Sequence, residues 1–366
     1  MKRTLASLLL LCLFAASTAS AQTDRDIPID AATREKVLNY VLEQLEAEYV
    51  YPDMAKSVVT TMRERLRRGD YDQMNSAVKF GMRLTEELRA LTNDQHIGVR
   101  YFPAPVEQAA TTKPEPKPQS EEQRRAEQLR AVNWGNHSLP RVERLPGNIG
   151  YLQVDGFADP ETAGETLAAA MRFIADTEAL IVDLRHNQGG RPEMVALMTS
   201  YFLDAKKVHL TDVYCRVPIS GLCSRNDETR AFWSLADLPG RRYAGPLYIL
   251  TSRMTFSAGE EFAYNLQALR RATLIGERTG GGANPGTLTT FFKDWQVFVP
   301  QAHAVSAITK GTWDQVGVTP DVSAPADRAL TLAHLDALRK TLPRLTDAWQ
   351  REEVQEAIAR LEKETK

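Results

Sequence analysis

Cysteine is scarce in this chain of 366 residues: there are three, and Cys12 lies in the amino-terminal apolar stretch. The other two, Cys215 and Cys223, have no histidine near them, which makes a zinc site a poor fit, and no metal or organic cofactor is expected. Histidine is almost as rare, with six in all. A dominant charge is missing too: 45 basic residues against 47 acidic ones leave a formal charge of −2. The basic residues form no stripe interleaved with aromatics, so nucleic acid is excluded as a partner. Hydrophobic residues at 43% and charged residues at 25% are ordinary for a soluble globular protein, and no internal repeat is present.

Long hydrophobic runs are absent as well. The apolar stretch from Leu5 to Ala16 is too short to span a bilayer stably. With Lys2 and Arg3 before it and Ala19-Ser20-Ala21 after it, it reads as a secretory signal peptide over residues 1–21, cut after Ala21. Loss of those two basic residues would take the formal charge from −2 to −4. A periplasmic or secreted protein with no membrane span in the mature chain is expected. In an oxidising compartment, Cys215 and Cys223, separated by a loop with Pro218 and Gly221, become a disulfide candidate, with two unrelated thiols as the alternative.

What the chain does contain is a change of period. From Ile29 to about Leu91 apolar residues recur at helical spacing, as in Val37, Val41, Leu42 and Leu45, which predicts an N-terminal helical domain over 22–103. Prolines 105, 114, 116 and 118 among polar residues mark 104–128 as a linker or exposed excursion. From Gly147 onward strand-like and helix-like segments alternate. Strands are expected at 150–154, 179–184, 247–250 and 274–276, and helices at 160–175 and 193–202. This pattern predicts an α/β domain over 129–328 with a largely parallel sheet, whose sites lie at the carboxyl ends of strands. Residues 295–300 and 304–309 are expected to pair as antiparallel strands, and 329–366 reads as a helical tail.

Four segments carry potential chemistry. Ser257 follows the apolar run Leu247–Leu250 and precedes a helical pattern with Phe262, Leu266 and Leu269. A hydroxyl there faces unpaired N–H groups and a helix dipole, an environment that suits an oxyanion. Serine is equally a preferred N-cap, and both readings stand. In Asp183-Leu184-Arg185-His186-Asn187-Gln188-Gly189-Gly190 the paired glycines allow close approach of backbone to a ligand, or simply a tight turn. A serine nucleophile needs a base, and histidine suits neutral pH. The candidates are His96, His137, His186, His209, His303 and His334, and spacing does not choose among them. Asp314, in a loop before Gly317-Val318-Thr319-Pro320-Asp321, could orient an imidazole.

Taken in order, these segments resemble the S41 serine peptidases, the family of tail-specific and carboxyl-terminal-processing proteases. The likeness is closer to the branch of the tricorn core and the interphotoreceptor retinoid-binding protein. It rests on Asp183–Gly190, on Thr255-Phe256-Ser257-Ala258-Gly259-Glu260-Glu261-Phe262, on Gly276-Glu277-Arg278-Thr279-Gly280-Gly281-Gly282, and on Gly317–Asp321. The resemblance implies a ClpP/crotonase-like α/β catalytic domain and a serine-type peptidase acting on peptide or protein substrates. It assigns Ser257 as nucleophile, His96 of Asp94-Gln95-His96 as base and Asp314 as the orienting acid. The N–H of Ala258, with one from Gly189 or Gly190, would form the oxyanion hole. The processing branch uses a lysine near the position of Gly282, and no lysine occurs between Ser257 and Lys293, which favours His96. This chain departs from the tricorn pattern in carrying Gln95 beside the histidine and aspartate at 314. Alternatives on the same fold are a non-catalytic carrier of a hydrophobic ligand such as a retinoid or lipid, and an esterase.

Overall fold

A computed structural model of the chain describes residues 26–103, 121–292 and 294–364. The segment read as a signal peptide and the proline-rich part of the expected linker lie outside these residues. In chain order the helices are α1 (Ala31–Glu48), α2 (Pro52–Arg67), α3 (Ala77–Thr92), α4 (Glu121–Trp134), α5 (Pro160–Phe173), α6 (Pro192–Ser200), α7 (Ala258–Ala268), α8 (Ala326–Thr341) and α9 (Ala348–Glu364). The strands are β1 (Gly98–Tyr101), β2 (Arg141–Leu145), β3 (Ile149–Gln153), β4 (Ala179–Asp183), β5 (His209–Cys215), β6 (Glu228–Trp233), β7 (Leu247–Thr251), β8 (Thr273–Gly276), β9 (Gly286–Phe291), β10 (Trp295–Pro300), β11 (Ala302–Ser306) and β12 (Val322–Ser323).

The chain forms two compact units. The first holds the described residues of Met1–Gln119 together with Asp212–Arg230 and Gly282–Val305. Its helices start and stop where local chemistry directs. Asp30 accepts a hydrogen bond from the Thr33 N–H at 2.8 Å to cap α1, Pro52 opens α2, and Ser76 caps α3. Asn93, in a left-handed conformation at φ 56°, ends α3. Val37, Leu38, Val41 and Leu42 of α1, Val58 and Met62 of α2, and Phe80, Leu84 and Leu88 of α3 share one buried core with Val99, Trp295 and Val297. The last three belong to an antiparallel sheet of order β1-β10-β9. Gly81 lets α3 press on β1, since a Cβ there would sit 3.2 Å from the Val99 carbonyl oxygen. The turn between α3 and β1 carries His96.

The second unit comprises Ser120–Thr211, Ala231–Gly281 and the described residues from Ser306 onward. Its six-stranded sheet has the order β12-β8-β7-β4-β3-β2, parallel except for the β2–β3 pair. Burial on both faces explains why β4 and β7 read as continuous apolar runs rather than alternating ones. On one face Ile181, Tyr248, Leu250 and Ile275 pack against Ala333, Leu338 and Val354 of α8 and α9. Elsewhere in the unit Phe262 of α7 meets Phe157 and Phe202, with ring centroids 5.6 and 6.0 Å apart. Because β4 and β7 are neighbours in register, with Val182 opposite Ile249, the loops leaving their carboxyl ends lie side by side.

One expectation needs correction, and two further features of the chain leave no mark in its periodicity. The stretch around 295–300 does not pair with the strand that follows it: β10 pairs with β9 and β1, and β11 belongs to a separate sheet of order β11-β5-β6. Gln301 alone separates β10 from β11, and a hairpin connection commonly needs at least two residues. Helix α4 begins inside the region read as linker, because Glu, Gln, Arg, Ala and Leu are strong helix formers even without an apolar face. Finally, 212–230 and 282–305 group with the N-terminal helices rather than with the parallel sheet. The hairpin of β9 and β10 completes a sheet begun by β1, a pairing across about 200 residues that periodicity cannot reveal.

Candidate active site

Ser257 occupies the turn between β7 and α7 with φ 54° and ψ −122°, a strained backbone for a residue with a Cβ. Its side chain is half-buried, and its N–H donates to Glu260 Oε2 at 2.9 Å in a capping box that opens α7. The turn is pinned to the neighbouring β4 loop. The Phe256 N–H donates to the Asn187 carbonyl at 2.9 Å, the Thr255 hydroxyl to the Leu184 carbonyl at 2.8 Å, and the Ser252 hydroxyl to the Arg185 carbonyl at 2.5 Å. Capping alone would not require this strain or these ties.

The paired glycines sit against this turn. Gly189 (φ 110°) has no room for a side chain: a Cβ there would lie 2.8 Å from Ser257 Cβ and 3.2 Å from the Ala258 nitrogen. Gly190 (φ 141°) is packed as tightly against Phe157, whose carbonyl oxygen would be 2.2 Å from an added Cβ. The two glycines differ in what their N–H groups do. The Gly189 N–H donates to the Asn187 side-chain oxygen at 2.8 Å. The Gly190 N–H and the Ala258 N–H meet no acceptor among the described residues. Asn187 is fully buried, and its amide nitrogen is held by the Val154 carbonyl at 2.9 Å.

Asp314 is tied to the same assembly through backbone and a buried carboxylate. Glu260 is fully buried; its Oε1 accepts from the Thr279 hydroxyl at 2.5 Å and from the Gly281 N–H at 2.7 Å. Thr279 Oγ1 in turn accepts from the Val318 N–H at 2.6 Å, and the Gly281 carbonyl accepts from the Gln315 N–H at 2.8 Å. The nucleophile-like turn, the glycine turn at 279–281 and the Asp314 loop are thus one hydrogen-bonded construction. Next on α7, Glu261 is buried, and burial pushes its carboxyl up to about 7.

His96 belongs to the first unit. It is buried, its ring stacks on Phe298 with centroids 5.8 Å apart, and burial lowers its pKa to about 4 despite the nearby Asp94 charge. Asp94 Oδ1 accepts the His96 backbone N–H at 2.9 Å. Of the other histidines, His334 is held by the Pro146 carbonyl at 2.9 Å and His303 stacks between Tyr51 and Tyr214. His186 is exposed on the β4 loop. Cys215 and Cys223 are joined as a disulfide, with Cα atoms 6.5 Å apart. Among the described residues no cluster of His, Cys, Asp and Glu could hold a metal ion, and no helix is long and apolar enough to cross a membrane.

Residues 148–324 match the family model "Peptidase family S41", and residues 27–132 match the model "N-terminal domain of Peptidase_S41 in eukaryotic IRBP". The chain belongs to peptidase family S41. It is 36% identical over 105 residues to the tail-specific protease of Haemophilus influenzae, a match covering 28% of this chain and 13% of that protein. With the carboxy-terminal-processing protease of Bartonella bacilliformis it shares 30% identity over 186 residues, 49% of this chain and 39% of the relative. The aligned parts therefore span well under half the length of either curated relative. The structure of mature CPAF complexed with lactacystin is similar over 90% of this chain and 99% of that one, with a TM-score of 0.56 at 12% identity, a likeness of fold.

Sequence reasoning missed Asn187, Glu260, Thr279 and Asn284. The first three stand inside the quoted motifs and are recognisable only once their hydrogen bonds are seen. Asn284, which donates to Asp94 across 190 residues of chain at 2.8 Å, leaves no signal in the sequence.

Proposed function

We propose that this S41 member is an exported serine peptidase in which Ser257 is the nucleophile, His96 its base and Asp314 the acid that orients the imidazole. The observation that carries this reading is the pair of unclaimed N–H groups of Gly190 and Ala258 beside a strained Ser257. Donors of that kind, pre-set around a hydroxyl at a helix start, suit the charge that develops when a carbonyl is attacked. Commitment of the Gly189 N–H to Asn187 favours Gly190 as the second donor.

In this mechanism Ser257 Oγ attacks the peptide carbonyl carbon while its proton passes to His96. The carbonyl oxygen becomes an oxyanion that accepts from the Ala258 and Gly190 N–H groups. The intermediate collapses with cleavage of the C–N bond, and the amine leaves with the proton that His96 returns. Water, deprotonated by His96, then hydrolyses the acyl-enzyme and frees Ser257. The leader-like start of the sequence and the Cys215–Cys223 disulfide both support an extracytoplasmic site of action.

Hydrolysis of a mixed peptide library and of activated esters by the wild type and by Ser257→Ala tests the proposal. Peptide cleavage that vanishes in Ser257→Ala supports it. Ester turnover without peptide cleavage would support an esterase, and an inert wild type that co-purifies with lipid would support a carrier.

A further inference from the structure

Asp94 is wholly buried, yet among the described residues it has no ion-pair partner. Its carboxylate is satisfied by dipoles alone. Oδ1 accepts the His96 backbone N–H at 2.9 Å, and Oδ2 accepts the Tyr49 hydroxyl at 3.2 Å and the Asn284 side-chain nitrogen at 2.8 Å. Its own N–H donates to Thr92 Oγ1 at 3.1 Å, at the end of α3. The same turn is fixed from its other side, where Arg89 Nε donates to the Ile97 carbonyl at 3.0 Å. A buried carboxylate without a counter-charge is costly, and proteins keep one mainly where a charge must be met.

The titratable and charged groups facing this carboxylate are few. Tyr49 follows α1 and stays protonated through the physiological range, raised by burial and then by Asp94. Arg89 on α3 acts on Asp94 only through its field. His96 is the remaining group, and it is the one that would acquire positive charge in the reaction. We propose that Asp94, locked by Tyr49 and Asn284, is the positioning and electrostatic partner of His96, holding its turn and balancing the charge gained when it accepts the Ser257 proton. The proposal rests on the serine-peptidase reading. Asp94 touches neither substrate nor the reacting atoms, and acts through His96. The ancillary residues come from separate parts of the first unit, the end of α1 and the segment before β9, so one carboxylate ties these segments to the turn that carries His96.

The test compares the full-length wild type with Asp94→Asn, Tyr49→Phe and Asn284→Ala, reading kcat and KM for a cleaved peptide and the pH titration of the His96 imidazole by NMR. Asp94→Asn keeps the shape but removes the charge. It should lower kcat on the order of 10²-fold with KM little changed. It should also move the His96 midpoint down by about one pH unit or more, because a stabilising negative charge is gone. Tyr49→Phe and Asn284→Ala keep the charge, and should lower kcat by several-fold with a smaller shift of the midpoint. A wild-type kcat and an unmoved titration in Asp94→Asn would overturn the proposal. Should that variant fail to fold, wild-type kcat in both milder variants would overturn it instead. Absence of hydrolysis by the wild type would refute the peptidase reading, and the titration alone would then decide for or against Asp94.

Discussion

The Ser257 N–H donates to Glu260 Oε2 at 2.9 Å, so the residue three positions into α7 reaches back to hold the turn that precedes it. Glu260 uses its other oxygen for Thr279 and Gly281, and thereby joins Ser257 to the loop of Asp314. Every donor around this carboxylate needs an acceptor.

Glu260→Gln places an amide NH₂ against one of those donors. Loss of a buried charge-assisted hydrogen bond costs about 2–3 kcal/mol. We expect a lower melting temperature and slower modification of Ser257 by a serine-reactive probe, checked by thermal denaturation and labelling kinetics on the same sample.

Gly190→Ala should be as damaging. The added methyl would come within 2.2 Å of the Phe157 carbonyl oxygen, at a φ of 141° that side chains rarely adopt. Strain of that kind costs about 1–3 kcal/mol before any clash is counted. Activity should fall by at least the 10²-fold associated with one lost oxyanion donor. Near-wild-type activity would remove the glycine turn from the mechanism.

The pH dependence of stability has two opposed contributors. Glu261, raised to about 7 from 4.5, binds its proton more tightly when folded. Its contribution is full below about 4.5 and is lost as pH rises through about 7. His96, lowered to about 4 from 6.5, contributes above about 6.5 and loses that share as pH falls through about 4. Glu261→Gln should therefore raise the melting temperature at pH 8 relative to wild type while giving no gain at pH 4.5. Equal effects at both pH values would contradict the assignment.

Much of the fold was legible from periodicity. The helices of the first unit, the buried runs of β4 and β7 and the helix after Ser257 follow from the spacing of apolar residues, since amphipathic and doubly buried elements leave different patterns. Distant pairings were not legible. Nothing local says that β10 pairs with β1 rather than with β11, or that Asn284 reaches Asp94. The site was legible where it is contiguous, as in Ser257-Ala258 and Gly189-Gly190. The distinction between the two glycines needed the hydrogen bond from Gly189 to Asn187, which sequence spacing does not encode.

The Cys215–Cys223 bridge closes a short loop whose ends are separated by 8 in sequence. Chain-entropy reasoning assigns a loop of this size about 2–3 kcal/mol. A reductant, or the double substitution Cys215→Ala and Cys223→Ala, should lower the melting temperature while leaving Ser257 reactive.

The central claim is that Ser257 is a nucleophile rather than a helix cap. A fluorophosphonate probe followed by peptide mass mapping measures this most directly. A single adduct on Ser257, abolished by Ser257→Ala and slowed by His96→Ala, is the predicted result. Equal labelling of the wild type and Ser257→Ala, or labelling unaffected by His96→Ala, would contradict it.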